Sequence, residues 1–144
     1  MKNGFLCAVC RSPVKGIQKV DIGEAVLIEG MGMEGDGHFG FGHRQVSLLS
    51  AEEAEKMKLK VPAIKPGAFA ENLLIRDFDL ASLEIGDRLN VGEALLEVTQ
   101  IGKECHDHCA IYEAAGDCIM PRLGVFCSVV KGGRIKIGDV VNVV

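Results

Sequence analysis

The residues with the greatest chemical capacity lie in one stretch, Cys105-His106-Asp107-His108-Cys109, which places two thiols and two imidazoles within five positions. A thiolate is both a nucleophile and a metal ligand, and a neighbouring imidazolium lowers the pKa of a thiol. The stretch is therefore suited to sulfur transfer, metal ligation or redox chemistry. Cys105 and Cys109 are the candidate catalytic thiols and metal ligands, and His106 and His108 are the candidate acid–base groups.

The spacing of these four residues leaves more than one site open. Cys105 and Cys109 share a face in a strand and in a helix, because a separation of four residues suits both periodicities. His106 and His108 would face the other side of an extended segment. A structural zinc site is an alternative, although C-x-x-x-C is an unusual spacing for zinc and no second regular ligand pair follows. Buried inert thiols are disfavoured, because the surrounding residues are strongly polar.

A glycine-rich loop is the second candidate region. Six glycines between positions 30 and 42 would let backbone N–H groups approach a ligand, and His38, His43 and Arg44 are placed to hold an anion. The spacing does not match the P-loop of nucleotide-binding proteins. A mobile surface loop is the alternative. We favour a ligand-binding loop, because long structured loops in compact domains are often functional.

Three further polar residues are candidate ligand contacts. Glu71 and Asn72 stand at the start of an apolar strand, and Arg122 carries a guanidinium that matches phosphate geometry. The C-x-x-C pair Cys7 and Cys10 is different. Residues three apart on a regular strand face opposite sides, so we expect two buried, inert thiols rather than a redox or zinc pair.

The elements that must position these residues are mainly strands. The chain has 18 glycines in 144 residues, and they recur between short β-rich runs, which is typical of an all-β sandwich or barrel. One or two short helices are predicted, the main one from Ala51 to Met57 with a capping box of Ser50 and Glu53. The motif I-G-D-x-x-N-V occurs at 85–91 and 137–143 and predicts two similar corners of one barrel. We expect a single domain over 1–144.

Composition limits the compartment and the partners. No apolar run approaches the ~18 residues needed to span a bilayer, and the N-terminal apolar run is too short for a signal peptide. We therefore expect a soluble cytoplasmic protein without a membrane partner, in which the six cysteines are free, metal-binding or catalytic. The net charge of -4 and the interspersed charges argue against a nucleic-acid partner.

Five short motifs occur in a fixed order along the chain. They are Gly35–His38 with Arg44–Val46, Gly67–Leu73, Leu95–Gly102, Lys103–His106, and Gly124–Phe126 through Lys131–Gly133 to Ile137–Asp139. Each motif is weak alone, but the series spans nearly the whole chain. Together they resemble the MOSC domain, named for the C-terminal domain of molybdenum cofactor sulfurase, and specifically its small stand-alone members.

The resemblance implies a predominantly antiparallel, barrel-like β fold and a functional cysteine just after the long strand. In this family that cysteine is thought to carry sulfur to the molybdenum cofactor, or in enzymatic relatives to ligate the metal. Cys105 is the closest match by position, and Cys109 is the second. The resemblance further implies that the molybdenum cofactor (molybdopterin) or a precursor is bound. The residues expected to contact it are His38, Arg44, Glu71, Asn72 and Arg122.

The leading hypothesis is therefore a sulfur carrier or sulfurtransferase associated with the molybdenum cofactor. The 144 residues include no aminotransferase-like cysteine desulfurase domain, so we expect a separate sulfur-donor protein or acceptor enzyme as a partner. One alternative is a molybdenum-dependent reductase of N-hydroxylated substrates, with Cys105 or Cys109 ligating the metal. Another is a zinc-stabilised binding module without catalytic activity.

Overall fold

Strands dominate the computed structural model, which describes residues 3–14, 17–40, 42–102 and 123–144. Five predicted site residues, Cys105, His106, His108, Cys109 and Arg122, lie outside the described residues. The strands are β1 Gly4–Arg11, β2 Val20–Asp21, β3 Glu24–Ile28, β4 Gly32–Met33, β5 Val46–Ser50, β6 Leu73–Arg76, β7 Arg88–Val91, β8 Ala94–Ile101, β9 Val125–Lys131, β10 Gly133–Lys136 and β11 Val140–Val143. The helices are α1 Ala51–Lys58 and a 3-10 turn at Leu80–Ser82.

Seven of the described strands close into a barrel in the order β11-β7-β8-β9-β5-β6-β1, with β1 pairing back to β11. All neighbours in this ring are antiparallel except β5 and β6, which are parallel. A parallel pair needs a crossover connection, and α1 with the chain from 59 to 72 supplies it. A smaller sheet, β10-β3-β4, accompanies the barrel. The predicted barrel, predominantly antiparallel, is confirmed.

Two hydrophobic clusters lie on the two sides of the barrel wall. One fills the interior, and the other packs the outer face of the wall against α1 and the chain that follows it. Strand β1 contributes to both, and its pairing with β6 shifts register between Leu6 and Ala8. Such a bulge changes the alternation of side chains along a strand.

The bulge corrects the expectation for the C-x-x-C pair. Leu6 and Val9 both face the interior, and Cys7 and Cys10 both belong to the cluster on the helix side rather than to opposite faces. The prediction of opposite faces assumed a regular strand. Cys10 is fully buried and Cys7 is half-buried.

Helix α1 begins where the sequence predicts it. The hydroxyl of Ser50 accepts a hydrogen bond from the main-chain N–H of Glu53 at 3.3 Å, as an N-cap does. The carboxylate of Glu53 accepts from Lys56 at 3.0 Å instead of returning to Ser50, so only one half of the predicted capping box is made. Among the described residues, no helix has the length and apolar composition that crossing a membrane requires.

The repeated I-G-D-x-x-N-V motif forms two equivalent corners of the barrel. In each copy the aspartate accepts a hydrogen bond from the main-chain N–H three residues before it, Asp87 from Glu84 at 2.8 Å and Asp139 from Lys136 at 2.9 Å. The strands that follow, β7 and β11, pair with each other. The prediction that both copies serve one barrel is confirmed.

A close backbone contact joins the crossover connection to the chain before β2. The main-chain N–H of Lys19 donates to the carbonyl of Gly67 at 2.8 Å. Gly67 has φ +91°, and a Cβ there would lie 2.1 Å from the carbonyl oxygen of Lys19. This contact requires glycine both for its backbone conformation and for space.

Replacing Gly67 tests this contact. We expect Gly67→Ala to lower the free energy of unfolding by about 3 kcal/mol or more, because the added methyl group meets backbone atoms that cannot yield. Gly86→Ala is the matched control, since Gly86 has φ +97° and no atom lies within 4 Å of the position that its Cβ would take; it should cost about 1 kcal/mol. Urea denaturation measures both values. Equal losses in the two variants would contradict the packing explanation.

Candidate functional site

A buried ion pair joins the glycine-rich loop to the chain before β2. Lys19 Nζ and Asp36 Oδ1 are 2.7 Å apart, and their side chains are 1% and 0% exposed. Asp36 also accepts hydrogen bonds from the main-chain N–H groups of Ser12 at 3.2 Å and His38 at 3.1 Å. Burial acts to raise the pKa of Asp36, but the hydrogen bonds from His38 and Lys19 and the lysine charge hold that pKa below its ordinary value.

The imidazole of His38 lies at the outer end of this pair. Its Nδ1 is 3.3 Å from Lys19 Nζ and 3.5 Å from Asp36 Oδ2, and its side chain is 22% exposed. The predicted ligand residue His38 is thus partly accessible, and its ring contacts the buried charged groups of Lys19 and Asp36. The sequence does not single out Lys19, because this lysine belongs to no motif. The approach to β2 also contains Lys15 and Gln18, so no local pattern distinguishes this lysine.

Glu71 and Asn72 lie at the end of the crossover connection, and both bind main-chain groups there and in the barrel wall. Glu71 is fully buried, and its carboxylate accepts from the main-chain N–H groups of Gly67 at 2.8 Å and Phe69 at 3.0 Å. Burial raises the pKa of Glu71 despite these hydrogen bonds. The Oδ1 of Asn72 accepts from the main-chain N–H of Ser47 at 3.0 Å. Contact of Glu71 or Asn72 with a ligand remains a prediction.

Asn72 also connects three strands of the barrel wall. It precedes β6, its Oδ1 bonds to β5 through Ser47, and its Nδ2 donates to the carbonyl of Cys10 in β1 at 3.1 Å. The amide is fully buried. This position explains why a polar side chain stands at the start of an apolar strand.

The far end of the glycine-rich loop contacts β8 and β9. His43 Nε2 lies 2.7 Å from Gln100 Oε1, and the hydroxyl of Thr99 donates to the carbonyl of His43. The guanidinium carbon of Arg44 lies 6.0 Å from the centre of the Phe126 ring, within the range of a cation–π contact. The loop therefore extends from the buried ion pair to the ends of these two strands.

The cysteine–histidine segment joins the barrel at those same strand ends. The main-chain N–H of Gly102, after β8, donates to the carbonyl of Gly124, before β9, at 2.7 Å. Leu123 packs against the hydrophobic cluster that contains Phe126. Both attachment points of residues 103–122 thus lie beside the part of the loop that carries His43 and Arg44.

The described cysteines are unsuited to chemistry. Cys7, Cys10 and Cys127 are free thiols, and burial raises the pKa of each. A raised pKa disfavours the reactive thiolate. Among residues 3–14, 17–40, 42–102 and 123–144, no group of three or more His, Cys, Asp or Glu side chains could hold a metal ion. The predicted thiols and metal ligands, Cys105 and Cys109, lie outside these ranges.

Fold and site together define a small β-barrel protein with a charged loop beside the attachment of a cysteine-bearing segment. Residues 34–142 match the MOSC domain. The chain belongs to the MOSC domain family. Comparison with curated protein sequences gives no match.

Solved structures share this fold. YuaD from Bacillus subtilis superimposes with a TM-score of 0.80 at 21% identity, over 99% of this chain and 96% of that one. YiiM from Escherichia coli gives a TM-score of 0.67 at 22% identity, over 100% of this chain and 70% of that one. YiiM from Geobacillus stearothermophilus gives a TM-score of 0.67 at 18% identity, over 98% of this chain and 73% of that one. The barrel is therefore common to bacterial relatives of low sequence identity.

Removing the carboxylate of the buried ion pair tests how much the pair contributes to stability. We expect Asp36→Asn to lower the free energy of unfolding by about 3 kcal/mol at neutral pH, because Lys19 would keep a buried charge without its counter-ion. Glu97→Gln, which breaks the exposed pair of Glu97 with Arg88, should cost less than about 1 kcal/mol. Urea denaturation of each variant provides the values.

The pH dependence of stability gives a second test of the same pair. The pKa of Asp36 is lower in the folded protein, so its contribution to stability is complete above its unfolded pKa and is lost as the pH falls through the folded value. The deficit of Asp36→Asn should therefore be full at neutral pH and narrow below roughly pH 4. A deficit that is constant from neutral to acid pH would contradict an ionised Asp36.

Proposed function

We propose that this MOSC protein binds the molybdenum cofactor, or a precursor, along the glycine-rich loop and carries sulfur on Cys105, with Cys109 as the partner thiol. The family is associated with binding of this cofactor or with sulfur transfer. The observation that carries the proposal is the position of His43 and Arg44 beside the Gly102–Gly124 hydrogen bond. A ligand on the loop would there be next to the segment that holds both thiols.

The donor groups of the loop fit a ligand with a phosphate. Arg44 offers a guanidinium, and His38 and His43 offer ring nitrogens along one connected loop. When bound, the cofactor supplies a metal that accepts sulfur as a ligand and a phosphate that cations recognise. Arg122, close in sequence to the attachment point Leu123, is proposed as a further phosphate contact. Glu71 and Asn72 would support the site indirectly, Glu71 by binding the main chain of Gly67 and Phe69 in the crossover connection and Asn72 by joining the start of β6 to β1.

The sulfur step that we propose is a thiolate–persulfide exchange. The Cys105 thiolate attacks the terminal sulfur of a persulfide on a separate donor protein. A new S–S bond forms to Cys105 as the old one breaks, and the donor cysteine leaves as a thiolate. The transferred sulfur keeps its proton, and no external oxidant or reductant is needed. His106 or His108, as an imidazolium, would stabilise the Cys105 thiolate before the attack.

Single cysteine variants test the sulfur role. We expect Cys105→Ser to abolish the transfer of labelled sulfur from a persulfide donor protein, because a serine hydroxyl is not an adequate nucleophile at neutral pH. Cys109→Ser should slow the transfer without abolishing it. Cys7→Ser, at a half-buried thiol on the helix side of β1, is the control and should transfer like wild type. Normal labelling of both Cys105→Ser and Cys109→Ser would refute the thiol role.

The loop can be tested separately from the thiols. We expect Arg44→Gln to weaken the binding of a phosphate-bearing pterin about tenfold, because a charge-assisted hydrogen bond contributes roughly 1.5–3 kcal/mol. Arg88→Gln, on the exposed face of β7, should leave the affinity unchanged. Fluorescence titration with the pterin measures both dissociation constants. Equal affinities for the two variants would place the ligand elsewhere.

A further inference from the structure

The buried ion pair also bears on the protonation pattern of the His38 ring. Nδ1 of His38 has two charged neighbours, Lys19 Nζ at 3.3 Å and Asp36 Oδ2 at 3.5 Å. A lysine ammonium can only donate hydrogen bonds, and an ionised carboxylate can only accept them. The two neighbours therefore require opposite states of Nδ1, a lone pair facing the lysine or an N–H facing the carboxylate.

The contacts around the pair favour the lysine. Asp36 already accepts three hydrogen bonds, from Lys19 at 2.7 Å and from the main-chain N–H groups of Ser12 at 3.2 Å and His38 at 3.1 Å. The Lys19 side chain is 1% exposed, so its remaining N–H groups need acceptors within the protein. A lone pair on Nδ1 meets that need at the shorter of the two distances.

We propose that Lys19 is a positioning residue that holds His38 in the tautomer with its proton on Nε2. Histidines beside a carboxylate more commonly carry the proton on Nδ1, which leaves Nε2 as a base. Here the lysine reverses this arrangement, so Nε2 becomes a hydrogen-bond donor. A donor at a partly exposed ring suits an oxyanion such as a phosphate. That last step rests on the proposed function, whereas the tautomer does not.

Nitrogen NMR on the wild-type chain is the first test. The protein is labelled with ¹⁵N-histidine, and the His38 signals among the four histidines are assigned by their loss in His38→Gln. We expect the ring proton on Nε2 and a lone pair on Nδ1. A proton on Nδ1, alone or in an imidazolium, would overturn the proposal. This spectrum needs no variant at Lys19, so it remains decisive if such a variant fails to fold.

The Lys19→Met variant is the second test. Without the ammonium, Asp36 remains as a charged neighbour of Nδ1, so we expect the ring proton to move to Nδ1. An unchanged Nε2-protonated ring in folded Lys19→Met would overturn the role of the lysine.

A matched variant separates this effect from general destabilisation. Ser47→Ala removes hydrogen bonds to Asn72 that are also buried but leaves the ion pair in place, and it should keep the wild-type ring signals. The same tautomer change in Ser47→Ala as in Lys19→Met would show a merely structural effect and overturn the proposal. Failure of a phosphate-bearing pterin to bind wild type would instead refute the proposed function and leave the ring spectrum unaffected.

Discussion

The buried ion pair of Lys19 and Asp36 fixes the glycine-rich loop to the barrel. Removing two charges from water is costly, and the cost is offset only where the pair has good geometry and further hydrogen bonds. Both conditions hold. Lys19 Nζ and Asp36 Oδ1 are 2.7 Å apart, and Asp36 also accepts hydrogen bonds from the main-chain N–H groups of Ser12 and His38. Lys19 is in turn held by Gly67, whose own N–H, like that of Phe69, is bound by Glu71. Asp36 thus fixes the loop directly, and Glu71 supports its partner Lys19 through Gly67.

The barrel supplies the other constraint. Gly102, after β8, is bonded to Gly124, before β9, so the described residues on either side of 103–122 lie together at one place on the wall. The loop returns to that place through His43, Arg44 and the buried Gln45, which bonds to the main chain of Val129. A rigid wall therefore sets where a loop-bound ligand and a thiol on the inserted segment could meet, which is how scaffolds commonly position functional loops.

Local patterns predicted much of the fold. Three predicted features are present in the structure: the Ser50 cap, the two I-G-D corners, and the glycines between short strands. Each depends on only a few neighbouring residues. The bulge in β1 was not predictable, because it depends on pairing with β6 across the barrel. Lys19 was missed for the same reason, since its partner Asp36 is 17 residues away. The roles of Glu71 and Asn72 were inferred from residue type alone, and their burial emerged only from the packing around them.

The central claim is a pterin site beside a functional thiol, and the composition of the purified protein tests it most directly. The full chain is produced in a molybdenum-replete host that makes the cofactor, and its metals and pterins are quantified. We expect about one pterin per chain in wild type and a marked loss of pterin in Arg44→Gln but not in Arg88→Gln. One equivalent of zinc without pterin, lost together with stability when Cys105 and Cys109 are both replaced, would contradict the claim and favour the zinc-stabilised module.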